Sequence, residues 1–507
     1  MMKSRAFRHL FLMLVATCVY AGLTLAPSGL VAAAVTCGNS GSPWETVVVG
    51  VPRGGAGLVD VHDRNGGPQR VIRPGSLGHA GAVGDRFGAA VVSADINGDR
   101  CVDLVVGAPG TGGVGAVYLI YGTPAGVGLG SVIRLPYAGS AGDAFGAALA
   151  VEILPRVPAL VYIWVGAPSR DVGGSVDAGA VVRYTLTAGA VSSPSVLTQN
   201  SPGVPGTAEA GDGFGQVLAP VEGGVLVGQP REDVGAKVDA GMVTMLRAPS
   251  GSSSRSTAVT EDSPGIAGAA ESGDRFGAAL SGGDGVLAVV GVPGEDLGTI
   301  RDTGMVHAIP LTLAPISDIW YISQNSAGVP GTAEAGDRFG TSVQHGVVNP
   351  VGNTPTCSAA EIAIGAPGED IGIVANAGAI TMYMTHRRPG SHCPSRVYQR
   401  GLSARPGDGL GAALGVLSDL GLLSGDLRGV SVEQPSRLVV GSPGEAVGSV
   451  PDAGVVEVLN PLGVFPNVES SFTLSTGSRA GTRYGSFISK PASCAFCYEV
   501  QSSDPPP

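Results

Sequence analysis

Two short phrases alternate along the chain, seven copies of each, and their phase limits the fold more than any other feature. The first is an aromatic or large apolar residue before glycine: Phe87-Gly88, Phe145-Gly146, Phe214-Gly215, Phe276-Gly277 and Phe339-Gly340, with Leu410-Gly411 and Tyr484-Gly485 as weaker copies. The second is Gly-x-Pro closing an apolar run, at Gly50, Gly107, Gly166, Gly228, Gly291, Gly365 and Gly441. The series opens on a Gly-x-Pro without its aromatic-Gly and closes on an aromatic-Gly without its Gly-x-Pro. A linear solenoid would leave both halves uncapped. A ring lets the last half-unit complete the first and protects the strand edges.

Each unit reads as four short strands separated by Gly, Pro or Asp turns; the first shows them at 88–93, 102–107, 116–121 and 132–135. The mean period is about 66 residues, longer than a compact blade needs, so the connections are long. Residues 200–211 and the near-identical 325–336 are two of these turn-rich connections. Blades narrow towards the axis of a ring. The aromatic residue is expected to plug that space, its glycine to admit the neighbouring backbone, and the proline to end a ladder for want of an N–H. The expected fold is therefore all-β, a seven-bladed β-propeller of four-stranded blades closed by pairing its N- and C-terminal halves. Composition agrees: 82 Gly and 37 Pro punctuate a chain with 14% charged and 44% hydrophobic residues, and no Gly-every-third register suggests collagen.

One connection has metal-ligand spacing. In Asp95-Ile96-Asn97-Gly98-Asp99-Arg100-Cys101-Val102-Asp103, side-chain oxygens fall at loop positions 1, 3, 5 and 9, and position 7 offers a backbone carbonyl. Oxygen donors so spaced wrap a hard cation such as Ca²⁺, and the carboxylates would repel one another without one. The corresponding stretches of the third and fourth units are too short for such a loop, and Glu152 to Leu160 in the second offers one carboxylate. One Ca²⁺ site is expected.

With Phe87-Gly88, the acidic loop and Gly107-Ala108-Pro109 together, the chain resembles FG-GAP repeat proteins, whose units build the integrin alpha-chain β-propeller and recur in bacterial secreted proteins. The resemblance spans about residues 44–490. It implies calcium ligation by the side chains of Asp95, Asn97, Asp99 and Asp103 and by the carbonyl of Cys101. Arg100 departs from the pattern, standing where glycine is usual. Integrins also use a partner chain and an inserted domain, neither of which is evident here.

Residues 1–34 read as a secretory signal: Lys3, Arg5 and Arg8 precede a mostly apolar stretch from Leu10 to Leu25, and Ala32-Ala33-Ala34 provides a small-residue cleavage site. The expected domains are this signal, a propeller over 35–498 and a disordered tail over 499–507. Six cysteines follow the signal (Cys37, Cys101, Cys357, Cys393, Cys494 and Cys497); an even number in an exported chain favours disulfides, in any of 15 connectivities. Apolar runs after residue 34 are no longer than strands, so the expected product is secreted, extracellular and monomeric, with no membrane span.

A formal net charge of -11, with only Lys3, Lys237 and Lys490 as lysines and the arginines scattered along the chain, argues against nucleic-acid binding. No Gly-x-Ser-x-Gly elbow occurs, and no histidines pair at helical metal spacing. Glu232-Asp233, Glu295-Asp296 and Glu369-Asp370 recur at one place after Gly-x-Pro, which marks a repeated turn, and the Asp before each aromatic-Gly reads as a turn residue as well. With no catalytic constellation, the expected function is extracellular recognition or adhesion, binding a protein or glycan on loops over a rigid frame. The alternatives are a secreted hydrolase with its site in the propeller channel and a non-catalytic envelope or matrix component.

Overall fold

The computed structural model describes residues 46–494 with gaps, the longest at 312–319, 349–356, 387–394, 418–436 and 474–486. The chain divides into two units, 1–36 and 37–507, and every described residue lies in the second. The expected signal, the tail over 499–507, Arg100, Cys37, Cys393 and Cys497 lie outside the described residues.

Seven antiparallel sheets form, one per repeat, and no α-helix occurs among the described residues. The first blade runs Ala90–Ala94, Asp103–Ala108, Ala116–Ile120 and Val132–Arg134, each strand within a residue or two of its expected bounds. The first strands of successive blades contact one another and so ring the axis. Closure is as the phase of the repeats requires. Phe487–Ile488, after Tyr484-Gly485, pairs antiparallel with Val49 and Gly50 of Thr46–Val51 and completes a blade with Leu58–Asp63 and Pro68–Ile72.

Blade contact rests on backbone fitted against backbone. Gly88 N–H donates to Gly107 O at 2.9 Å within the first blade. Its own carbonyl faces Gly50 of the closing blade so closely that a Cβ there would lie 2.0 Å away. Gly88 has φ +88°, a left-handed geometry costly for a residue with a Cβ. The same juxtaposition recurs at Gly107 with Gly146, Gly166 with Gly215, Gly228 with Gly277, Gly291 with Gly340 and Gly365 with Gly411. Beside each contact Phe87, Phe145, Phe214, Phe276, Phe339 and Leu410 are fully buried, and each N–H donates to a carbonyl of the preceding blade, as Phe214 does to Ala178 at 2.9 Å. The expected plug and close approach both occur.

Antiparallel alternation sorts the connections onto two ends. Those after Gly-x-Pro, together with those leading from one blade to the next, share one end; the loop 95–103 lies at the other. Past the closing strand, Lys490–Pro491 runs parallel to Val92–Ser93, and Ser493–Cys494 parallel to Glu152–Ile153. The C-terminal segment thus covers the axial edges of the first and second blades.

Candidate functional site

The 95–103 loop folds around its own oxygens. Asp95 Oδ1 accepts the N–H groups of Gly98 at 2.8 Å and Asp99 at 3.1 Å; Asn97 Oδ1 also accepts from Asp99 N–H at 3.0 Å. Asp99 Oδ1 accepts from Cys101 N–H at 2.8 Å, and Asn97 Nδ2 donates to Asp99 Oδ2 at 3.0 Å. Gly98, at φ +79°, makes the turn. Asp103 is fully buried, and its two oxygens accept from Ile96 and Gly122 N–H, each at 2.8 Å. Burial, reinforced by the charges of Asp99 and Asp95, pushes Asp103 up to about 7 against those two bonds. The loop therefore brings Asp95, Asn97 and Asp99 together and sets Asp103 beneath them. Asp95 Oδ1 takes two of these bonds, whereas the engaged oxygens of Asn97, Asp99 and Asp103 take one each and keep a lone pair for a ligand, and the all-oxygen donor set suits a hard cation. Cys101 is buried and disulfide-bonded.

At the other end of the ring, the residues read as turns prove only half turn-forming. Asp233, Asp296 and Asp370 accept from the N–H groups of Asp239, Asp302 and Asn376 at 2.8–2.9 Å, as turn residues do. Their partners Glu232, Glu295 and Glu369 instead point inward between blades. There each meets the Asp that precedes an aromatic-Gly, whose carboxylate reaches back to cap a backbone N–H, as Asp212 does for Glu209 at 2.6 Å and Asp337 for Glu334 at 2.6 Å. A third residue, just beyond the outer strand of the preceding blade, completes each slot.

That third residue sets the chemistry. In the third blade Gln199 Nε2 donates to Glu232 Oε2 at 2.9 Å, and Gln229 donates to the same oxygen at 2.9 Å. In the fifth, Gln324 donates to Glu369 Oε2 and Gln399 to its Oε1 at 3.4 Å. In the sixth, Arg400 pairs with Glu445 and with Glu457 at 3.2 Å. In the second, Arg170 donates to Asp143 at 3.1 Å and to the Tyr137 hydroxyl at 2.8 Å.

The fourth slot differs. Glu261 stands where Gln199 and Gln324 stand in the adjacent repeats, and His307 where Thr244 and Thr381 stand. Ligand oxygens of Glu261, Asp274 and Glu295 lie within 4.8 Å of one another, on residues 2%, 1% and 7% exposed. His307 Nε2 is 3.2 Å from Glu261 Oε1, and burial pushes its imidazole down to about 4. Burial, joined by mutual repulsion, pushes Glu261 and Asp274 up to about 7 and Glu295 to about 8. Reading the repeats one against another would have exposed this slot, since 198–212, 260–274 and 323–337 align without gaps and differ at this position by Gln to Glu.

The FG-GAP repeat family matches residues 87–120, from the aromatic-Gly of the first blade through the acidic loop and Gly107-Ala108-Pro109 to the end of the third strand. The second to sixth blades share the glycine contacts and buried plug of this stretch without its nine-residue acidic loop. No curated protein matches the chain. Among solved structures, a subtype N11 neuraminidase-like protein of A/flat-faced bat/Peru (H18N11) is 12% identical, covers 67% of this chain and 78% of its own, and fits with a TM-score of 0.29. That likeness is too distant to carry anything over to this chain. No helix among the described residues is long and apolar enough to cross a membrane.

Proposed function

We propose that the protein is an exported, calcium-binding recognition module that holds a protein or glycan ligand without turning it over. The observation that carries this reading is on the end of the ring bearing the post-Gly-x-Pro connections. There Val83, Val176, Val238 and Ile373 are 90%, 57%, 56% and 101% exposed, on four separate connections. Apolar side chains held in water by a rigid frame are candidates for contact with a partner, and loops over a scaffold are where binding residues concentrate. Calcium in the 95–103 loop would brace the opposite end, with Asp95, Asn97, Asp99 and Asp103 as its side-chain donors and Cys101 as the carbonyl donor. The disulfide at Cys101 supports folding in an oxidising compartment.

An array of extracellular proteins and glycans, probed with the purified protein in calcium, tests the reading. Binding is expected, and a Val176→Asp/Val238→Asp variant, with both residues exposed and so tolerant of charge, should lose it. The absence of any ligand, or ligand binding untouched by that variant, overturns the reading. So does turnover on a panel of esterase, phosphodiesterase and glycosidase substrates.

A further inference from the structure

We propose that Glu261, Asp274 and Glu295 bind a hard divalent cation of the calcium class, forming a second metal site at the end of the ring opposite the 95–103 loop. The first ground is Glu295 itself. It is more than nine-tenths buried, its Oε2 has no hydrogen-bond partner, and no hydrogen bond reaches its carboxylate among the described residues. Its counterparts Glu232 and Glu369 each take amide donors, and Glu445 takes an arginine. At the position that supplies the amide in those slots, the fourth slot has another acid, Glu261, whose own Oε2 is also without a partner. Glu295 is thus buried with no donor to its carboxylate, and Glu261 with one oxygen facing His307 and the other unpartnered; burying acids so poorly satisfied is costly, and a cation among them removes that cost.

Among the described residues, no cation side chain is paired with these three acids. Lys237 is paired outside the slot with Asp262 at 3.0 Å, and the charged neighbours Asp262, Glu271 and Asp296 are themselves acidic. His307 is buried, and its Nδ1 has no hydrogen-bond partner. Its Nε2 faces Glu261 Oε1, which orients that carboxylate; carboxylate ligands are commonly held by an outer group in this way.

Geometry and donor type choose the ion. Calcium–oxygen bonds of about 2.4 Å place opposite ligands about 4.8 Å apart, and the three ligand atoms already lie within 4.8 Å of one another. Three carboxylates offer up to six oxygens, enough for calcium with few waters. Magnesium gives up its waters reluctantly, which suits a closed slot less well. Gly268 covers the cluster, since a Cβ there would lie 3.3 Å from Glu261 Oε1 and 3.4 Å from Glu295 Oε1.

Calorimetric titration of the metal-free protein with calcium chloride separates this site from the loop when performed on an Asp99→Ala background. That background protein is expected to bind one calcium. Adding Glu261→Gln, which installs the amide of the adjacent slots and so should leave the metal-free melting temperature no lower, is expected to weaken binding on the order of 100-fold. Glu295→Gln, which leaves Glu261 in place, should give the same loss. His307→Thr should keep the stoichiometry and weaken binding roughly 10-fold, as a positioning residue would. No calcium bound by Asp99→Ala, or equal affinity with and without Glu261→Gln, overturns the proposal.

Discussion

Gly107 of the first blade and Gly146 of the second meet with no side chain between them: a Cβ on Gly107 would sit 2.0 Å from the Gly146 carbonyl oxygen. Backbone cannot withdraw as a flexible side chain does, so Gly107→Ala must part the two blades. A loss of about 3 kcal/mol is expected, read as a lower urea midpoint at unchanged slope. Gly75→Ala, at an exposed position with open space around it, should stay within about 0.5 kcal/mol of the parent. Equal midpoints for the two variants would refute the backbone-contact account.

Phe214 is fully buried and wedges between the second and third blades. Phe214→Ala leaves a cavity in a frame tied down by the bond from its own N–H to Ala178, so it should cost about 3–5 kcal/mol. A melting temperature within a degree or two of the parent would show that the plug is dispensable.

Ring closure depends on Phe487–Ile488 against Val49 and Gly50. A chain ended after residue 486 exposes that strand edge, and exposed edges recruit other chains. Lower thermal stability and concentration-dependent association are expected, the latter read by sedimentation. A truncated chain as stable and as monodisperse as the whole would mean the blade does not need its fourth strand.

Calcium gives a separate handle on the 95–103 loop. With 10 mM calcium and a dissociation constant near 0.1 mM, binding to the folded state alone should add about 2.7 kcal/mol. To isolate the loop, the comparison is made in Glu261→Gln protein, where Asp99→Ala should abolish the rise in melting temperature. A rise that survives Asp99→Ala in that background would place the ion elsewhere.

Stability should fall as pH rises. Burial pushes fully buried Glu152 up to about 7, opposed by bonds from Gly223 and Gly224 N–H. Glu232 and Glu369 are pushed to about 7 and Asp337 to about 6, chiefly by burial as well. Between the ordinary carboxylate range and these raised values the folded chain holds protons that the unfolded chain has released. Each acid's contribution is thus fully present at low pH and is lost as pH climbs through about 4 to 7. For Glu152 the span corresponds to roughly 3 kcal/mol. Glu152→Gln should flatten the profile of melting temperature between pH 4.5 and 8; an unaltered slope would mean Glu152 is ionised in the folded protein.

The frame was legible because its signals are local and repeated. Phe87-Gly88 and Gly107-Ala108-Pro109 mark where blades touch, and the unmatched Gly50 and Tyr484-Gly485 state how the ends meet. The slots were not legible in the same way. Glu295 follows Gly-x-Pro beside Asp296, and both look like turn formers; which carboxylate faces water and which faces the next blade is decided by tertiary packing. The contrast of Glu261 with Gln199 and Gln324 was in plain view, but it acquires meaning only once all three are known to reach the same place. The parallel run of Lys490–Pro491 beside Val92–Ser93 depends on the ring having already closed, and no local pattern announces it.

A frame whose blades are joined through glycine leaves the side chains at its ends unconstrained by their counterparts one blade away. The same pocket is filled by a tyrosine and an arginine in one repeat, by a glutamine and a glutamate in the next, and by three acids in the one after. The molecule is, in effect, a set of parallel trials on a common chassis, in which a new chemistry can be attempted at one station while the rest keep the assembly intact.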